Sequence, residues 1–350
     1  MATNPSRSST TNRGPILRRL AMGLGVTLSL GGLALVPKRP LPSVPTEHPS
    51  PSAMRFDDFV AEKLEQSRRE GVRSGNEEKF VRRQEKPAPL AILYIHGFGA
   101  SRAEGEGVVD GLATAFGANV YYLRLPGHGA DDKDAHAAAK PEEYFACVEE
   151  AFHRFRPLGE KLVIFGSSAG GLLSIWLASR HPKDVDGVVL ANPFFDFADP
   201  TAFLISRRVG MPIIEMIFGK ERDAGWKSDP EHRKQDGYES HWITKQHFRA
   251  LHTIDDLRRS IATPEVLGRV EAPLLMLYYY ADEKHQDRAA SVAAMHGFFA
   301  LSGSRQHPLS REVAIADGNH ILFSDYVRTD KEAINREIRP FLRTIIGPEK

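Results

Sequence analysis

Short apolar runs alternate with amphipathic stretches along residues 55–350. The runs at 90–95, 119–125, 161–165, 187–191, 273–280 and 311–316 are rich in β-branched and aromatic residues. Several are almost continuously apolar, which predicts strands covered on both faces. Helical spacing marks 56–70, 102–117, 141–155, 169–180, 286–300 and 330–345. Such alternation predicts an α/β fold, a mostly parallel sheet with helices on both faces. Function in such a sheet sits on loops beyond the carboxyl ends of the strands. Residues 192–272 hold no convincing strand pattern but do hold helical ones. A structureless loop of that length is out of keeping with a compact domain. A helical cap insertion at about 196–262 is therefore expected.

The first 54 residues have a different pattern. Arg13, Arg18 and Arg19 punctuate a polar start, and 20–36 carries no charge. Basic then apolar predicts a signal peptide or an N-terminal membrane anchor within 1–36. At about 17 residues the run is short against the ~20 that span a bilayer. Residues 37–54 are proline-rich and read as an extended spacer. The expectation is an exported or membrane-tethered protein of a bacterial cell envelope, associating with the membrane through 20–36.

Composition narrows the partners. The chain has 350 residues, 41% hydrophobic and 26% charged, with formal net charge +1. No basic stripe points to a nucleic acid or another polyanion. A single cysteine, Cys147, excludes an intrachain disulfide, and its helical setting reads as a small buried apolar residue. No H-E-x-x-H or cysteine cluster is present, so neither metal nor cofactor is expected.

The stretch "LVIFGSSAGG" (162–171) carries the chemistry. Gly166-Ser167-Ser168-Ala169-Gly170 fits G-x-S-x-G between a strand and a helix. That sharp turn lifts the middle hydroxyl clear of the sheet and needs small residues two positions either side. Ser168 meets the condition. Ser167 does not, because Phe165 flanks it. The Ala169 amide, at the helix N-terminus, can face a developing oxyanion. After the strand at 90–95, His96-Gly97-Phe98-Gly99 forms a turn whose Phe98 amide can supply the second donor.

Among 14 histidines, position decides. His320 follows the last strand and precedes the last helix, on the rim of Ser168. His285 and His128 sit on the same rim as rivals, while His307 lies at the opposite edge. For the acid that orients the base, Asp282 follows the strand at 273–280 and keeps the order Ser, Asp, His. Asp287 and Glu283 compete closely with it, and Asp196 and Asp199 are second choices. Aromatic residues of the insertion, Phe194, Phe195 and Trp242 among them, are expected to line an acyl pocket. At least half of that aromatic set would merely dock the cap.

Taken in order, "HGFGAS", "RLPGHG", "GSSAGG", "ADE" and "GNH" resemble the α/β-hydrolase family. Within it they are similar to single-domain esterases and monoacylglycerol-lipase-like enzymes, over roughly 88–346. The resemblance implies an eight-stranded sheet whose earliest strands fall within 70–88. It implies Ser168 as nucleophile, His320 as base, Asp282 as acid, and the Phe98 and Ala169 amides as oxyanion donors. The charged "EKHQD" after Asp282 departs from the apolar residues common there in the family. The expected activity is hydrolysis of a small or lipid-derived ester, monoacylglycerol-like, through an acyl-enzyme. Amidase, peptidase or acyltransferase chemistry on the same residues is one alternative, and a non-catalytic binding protein of the same fold is another.

Overall fold

A computed structural model describes residues 32, 35–44, 54–224 and 231–347. The expected signal or anchor at 20–36, and Trp226 of the cap, lie wholly or almost wholly outside them. No helix among the described residues is long and apolar enough to cross a membrane.

Seven strands form the main sheet: β1 (Lys79–Val81), β2 (Ala88–Ile95), β3 (Asn119–Leu123), β4 (Gly159–Ser167), β5 (Gly187–Ala191), β8 (Leu274–Tyr279) and β9 (Arg311–Ile315). Their order is β1-β3-β2-β4-β5-β8-β9, with β1 antiparallel to β3 and the rest parallel. Leu90, Ile92 and Tyr94 of β2 enter one core, and Ala91, Leu93 and Ile95 enter the other. Both faces are buried, which is why the run reads as continuously apolar rather than alternating. Helices α1 (Phe56–Arg69), α3 (Pro141–Phe155) and α4 (Ala169–Arg180) cover one face. Helices α2 (Ala103–Phe116) and α8 (Lys331–Ile346) cover the other.

Three expectations are corrected. The sheet has seven described strands rather than eight, because 70–88 contributes only β1 before β2 begins. Upstream, α1 packs on one face of the sheet instead of adding a strand, with the Phe56 ring edge-on to Tyr121 at 5.1 Å and 5.3 Å from Phe155. The cap also holds a small antiparallel ribbon, β6 (Glu221–Asp223) with β7 (Lys245–His247). Those six residues are polar, so no hydrophobic alternation announces them. Finally, the helix expected from 286 starts at 292 as α7 (Val292–Leu301). Residues 286–291 form a turn instead. Asp287 Oδ1 accepts the amides of Ala289 (2.8 Å) and Ala290 (3.0 Å), and Ser291 caps the helix that follows. A short side-chain acceptor of this kind competes with helix formation.

The cap is otherwise helical as expected, with α5 (Gly210–Phe218) and α6 (Ala250–Ile261) as its longer helices. The spacer is tied to it. Arg39 grips Asp256 through two hydrogen bonds, 2.7 and 3.0 Å, and reaches Asp255 at 3.4 Å. Its amide donates to Ser206 O, and Arg208 N donates to Pro37 O.

Candidate active site

Ser168 stands between the end of β4 and the start of α4 with φ 51° and ψ −117°. A non-glycine residue at positive φ is strained and persists only where its surroundings hold it. Here its amide donates to Ala191 O at 3.0 Å, and its carbonyl accepts from Gly171 and Phe194. The flanking glycines are sterically required. A Cβ on Gly166 would lie 2.5 Å from Gly170 O, and one on Gly170 would drive into Ile95 O.

His320 Nε2 lies 2.9 Å from Ser168 Oγ. Its Nδ1 lies 2.6 Å from Asp287 Oδ2, and the Asp287 side chain is fully buried. Burial alone would lower the His320 pKa. The Asp287 charge and hydrogen bond, with the Glu104 charge, outweigh it and raise the pKa above the ordinary 6.5.

The structure therefore brings Ser168 and His320 together but not Asp282. Asp282 is an exposed turn residue, accepting from the Lys284 and His285 amides and paired with the exposed His285 ring at 2.9 Å. The carboxylate at His320 is that of Asp287, five residues on. The two segments that hold it are zipped together: Ala198 N donates to Ala289 O, and Ser291 N to Asp196 O. The second choices are engaged elsewhere, Asp196 with Arg258 at 3.0 Å and Asp199 capping the turn at 200–206.

The rival histidines have other tasks. His285 serves Asp282. His128 Nε2 accepts the Gly99 amide at 2.8 Å, and its Nδ1 bonds Pro126 O. His96 does the same for the turn from the other side, Nδ1 to Gly97 O and Nε2 from Leu125 N. Burial pushes the His96 pKa down to about 4 and that of His128 well below its usual value, so both act as neutral pins.

These pins bear on the oxyanion donors. In Gly97-Phe98-Gly99, the Gly97 amide goes to Glu104 Oε2 (2.5 Å) and the Gly99 amide to His128. The Phe98 amide between them donates to no acceptor among the described residues, and neither does that of Ala169. Two uncommitted amides thus flank Ser168 on the two turns that sequence reading picked out. Cap residues close over the same place, Ile243 N donating to Gly99 O at 2.7 Å.

Of the expected pocket residues, Phe194 is buried and bonds Ser168 O through its amide. Phe195 lies flat on Phe298 at 3.8 Å and packs the insertion onto α7. Trp242 stacks on Tyr238 at 4.2 Å, in a small cluster with Ala100 and Ile321, next to both site loops.

Sequence reading missed two residues that hold the site. Asn192, at φ 43°, donates to Asn319 O and His320 O at 2.9 Å and accepts Tyr279 N, tying the histidine loop to β5 and β8. Glu104 is buried on α2, and a single acidic residue in a helical pattern gives no signal of that. One described cluster offers metal-ligand atoms: Glu149, His153 and His181. It sits at the far end of α4, ~18 Å along the helix from Ser168. Arg180 already holds Glu149 Oε1 at 2.6 Å, and His181 holds Oε2 at 2.7 Å, which reads as an ion-paired network.

A parallel sheet of this order, with a strained serine after β4 and a histidine after β9, defines an α/β-hydrolase. The family model described as serine aminopeptidase, S33, matches residues 86–311, and the chain belongs to that family. It is 31% identical over 108 residues to a thermostable monoacylglycerol lipase of Bacillus sp. strain H-257. That match covers 31% of this chain and 42% of the lipase, so the chain aligns with less than half of that relative's length. A structure reported for the metagenome-derived lipolytic enzymes LipS and LipT superposes with TM-score 0.63 at 20% identity, over 78% of this chain and 99% of the other. The monoacylglycerol lipase of Paleococcus ferrophilus gives 0.56 at 20% identity, over 77% and 98%.

Proposed function

We propose that the protein is a serine hydrolase of carboxylic esters, with a lipid-derived ester such as a monoacylglycerol as the substrate class. The observation that carries this is the hydrogen-bonded line from Ser168 Oγ through His320 to Asp287. His320 Nε2 takes the hydroxyl proton as Ser168 attacks the ester carbonyl, and Asp287 stabilises the imidazolium that forms. The Phe98 and Ala169 amides receive the oxyanion, each donor being worth roughly 10²–10³ in rate. His320 then protonates the leaving alkoxide, and water repeats the cycle on the acyl-enzyme.

The lipid-like substrate is supported by the lipase relatives and by the cap. Helix α5 buries Met211 and Ile214, yet its outer side is apolar too, with Met216 79% and Phe218 68% exposed. Apart from Glu215, which Arg249 pairs at 2.6 Å, that exposed side is apolar, and such a surface belongs at an interface rather than in water. The described strap at 37–39, bonded to the cap, directly follows the apolar run 20–36 in sequence, in keeping with an exported, membrane-tethered chain. Sequencing the N-terminus of the mature protein checks that reading, since a start beyond residue 36 removes the tether.

A panel of p-nitrophenyl esters of rising chain length, with aminoacyl p-nitroanilides beside it, tests the substrate class. Ester turnover should exceed anilide turnover, rise with chain length, and vanish in Ser168→Ala. Faster anilide turnover, or full activity in Ser168→Ala, would contradict the proposal.

A further inference from the structure

One buried carboxylate beside Ser168 has no part in the mechanism above. Glu104 is 2% exposed, at the first turn of α2. Its side chain turns away from the amides of its own helix. Oε2 accepts the Gly97 amide at 2.5 Å and the Tyr94 hydroxyl at 3.3 Å. The Tyr94 hydroxyl also meets Ser167 Oγ at 3.0 Å. Ser167, the unused serine of the pair, thus links the nucleophile turn to the oxyanion turn through Tyr94 and Glu104. A Cβ on Gly97 would lie 2.9 Å from Glu104 Oε1 and 3.1 Å from Ser168 Cβ, so the carboxylate sits directly behind the nucleophile.

We propose that Glu104 is a positioning residue of the catalytic centre: it holds the Gly97–Gly99 turn so that the Phe98 amide faces Ser168, and its negative charge joins that of Asp287 in stabilising the imidazolium of His320. This rests on the proposed hydrolase reading. The groups facing Glu104 are the Gly97 amide, Tyr94 from β2, Ser167 from β4 behind Tyr94, and His320 from the loop after β9 with Asp287 behind it. Burial raises the Glu104 pKa to about 7, against the Gly97 amide, the His320 charge and the Tyr94 bond, all of which favour the charged form. The interaction is mutual, since the Glu104 charge also raises the His320 pKa.

The sign follows. Activity needs neutral His320, so it falls as pH drops through the pKa of His320. A raised pKa puts the acid limb of kcat/KM above the unperturbed value of about 6.5. Removing the Glu104 charge lowers that pKa and moves the limb to lower pH.

The test is the pH profile of kcat/KM on a p-nitrophenyl ester for the full-length wild type, Glu104→Gln and Tyr94→Phe. Glu104→Gln should move the acid limb down by about half a pH unit or more and lower the plateau roughly tenfold. Tyr94→Phe, which keeps the carboxylate, should retain the wild-type limb. A Glu104→Gln limb coincident with wild type overturns the proposal, whatever happens to the plateau, because a purely structural role would change only the plateau. An inactive wild type would sink the hydrolase reading instead, so the two failures are distinguishable. If Glu104→Gln does not fold, infrared titration of the wild type decides. Loss of every buried carboxylic acid band at or below the acid limb of kcat/KM supports the proposal, because Glu104 is then charged while the enzyme turns over, and such a band persisting well above that limb overturns it.

Discussion

Five residues separate the acid that spacing favours from the carboxylate the fold places against His320. Asp282 follows its strand directly, and its turn is a self-contained unit of Asp282 with the Lys284 and His285 amides. Asp287 comes later but is buried against His320, with Oδ1 committed to two amides and Oδ2 left for the imidazole. Nothing in "ADEKHQD" distinguishes the two, because the choice depends on 196–198 pairing with 289–291, across more than 90 residues of chain. Kinetics of the two amide variants separates them. Asp287→Asn should lower kcat by about 10⁴ by mis-setting the tautomer of the base. Asp282→Asn should leave kcat within about twofold, as expected of an exposed turn residue. The reverse result would restore Asp282. The placement of the paired serines was legible, because it rests on local sterics: Phe165 flanks Ser167, Gly166 and Gly170 flank Ser168, and it is the Ser168 hydroxyl that meets His320.

At the scale of elements, the central strands were legible and the cap was less so. Runs buried on both faces announce themselves, and β5 matches its apolar run to the residue. The ribbon of β6 and β7 carries no such pattern, and β1 is too short to show one. The strap at 37–39 read only as a proline-rich spacer. In the structure, Arg39 meets Asp255, whose side chain is fully buried, and Asp256. Arg258 at 2.7 Å and Arg259 at 3.8 Å also face Asp255, and Arg259 lies 3.6 Å from Asp256, so losing Arg39 cuts the strap out of a shared network rather than leaving the carboxylates uncompensated. Arg39→Ala should therefore loosen the cap locally. Hydrogen exchange should speed up in α6 and the 205–208 segment while the strands stay protected. Unchanged exchange there would mean that the strap merely lies on the surface.

For the whole molecule, sheet and cap converge on one rim. Strand ends β4, β5, β8 and β9 deliver Ser168 with the Ala169 amide, Asn192, Asp287 and His320, the turn after β2 delivers the Phe98 amide, and the cap closes over Gly99. Chain order alone located the serine, the histidine and the amides, since each directly follows a strong strand signal. The supports were not legible, because Asn192, Glu104, His96 and His128 act through contacts made only after folding. The central claim is that these parts make Ser168 a nucleophile. It is tested most directly by treating the folded protein with a fluorophosphonate probe and mapping the adduct by peptide mass spectrometry. The expected result is one adduct, on Ser168, lost on prior heat denaturation and in His320→Ala. An adduct on Ser167, or no adduct on folded protein, would contradict it.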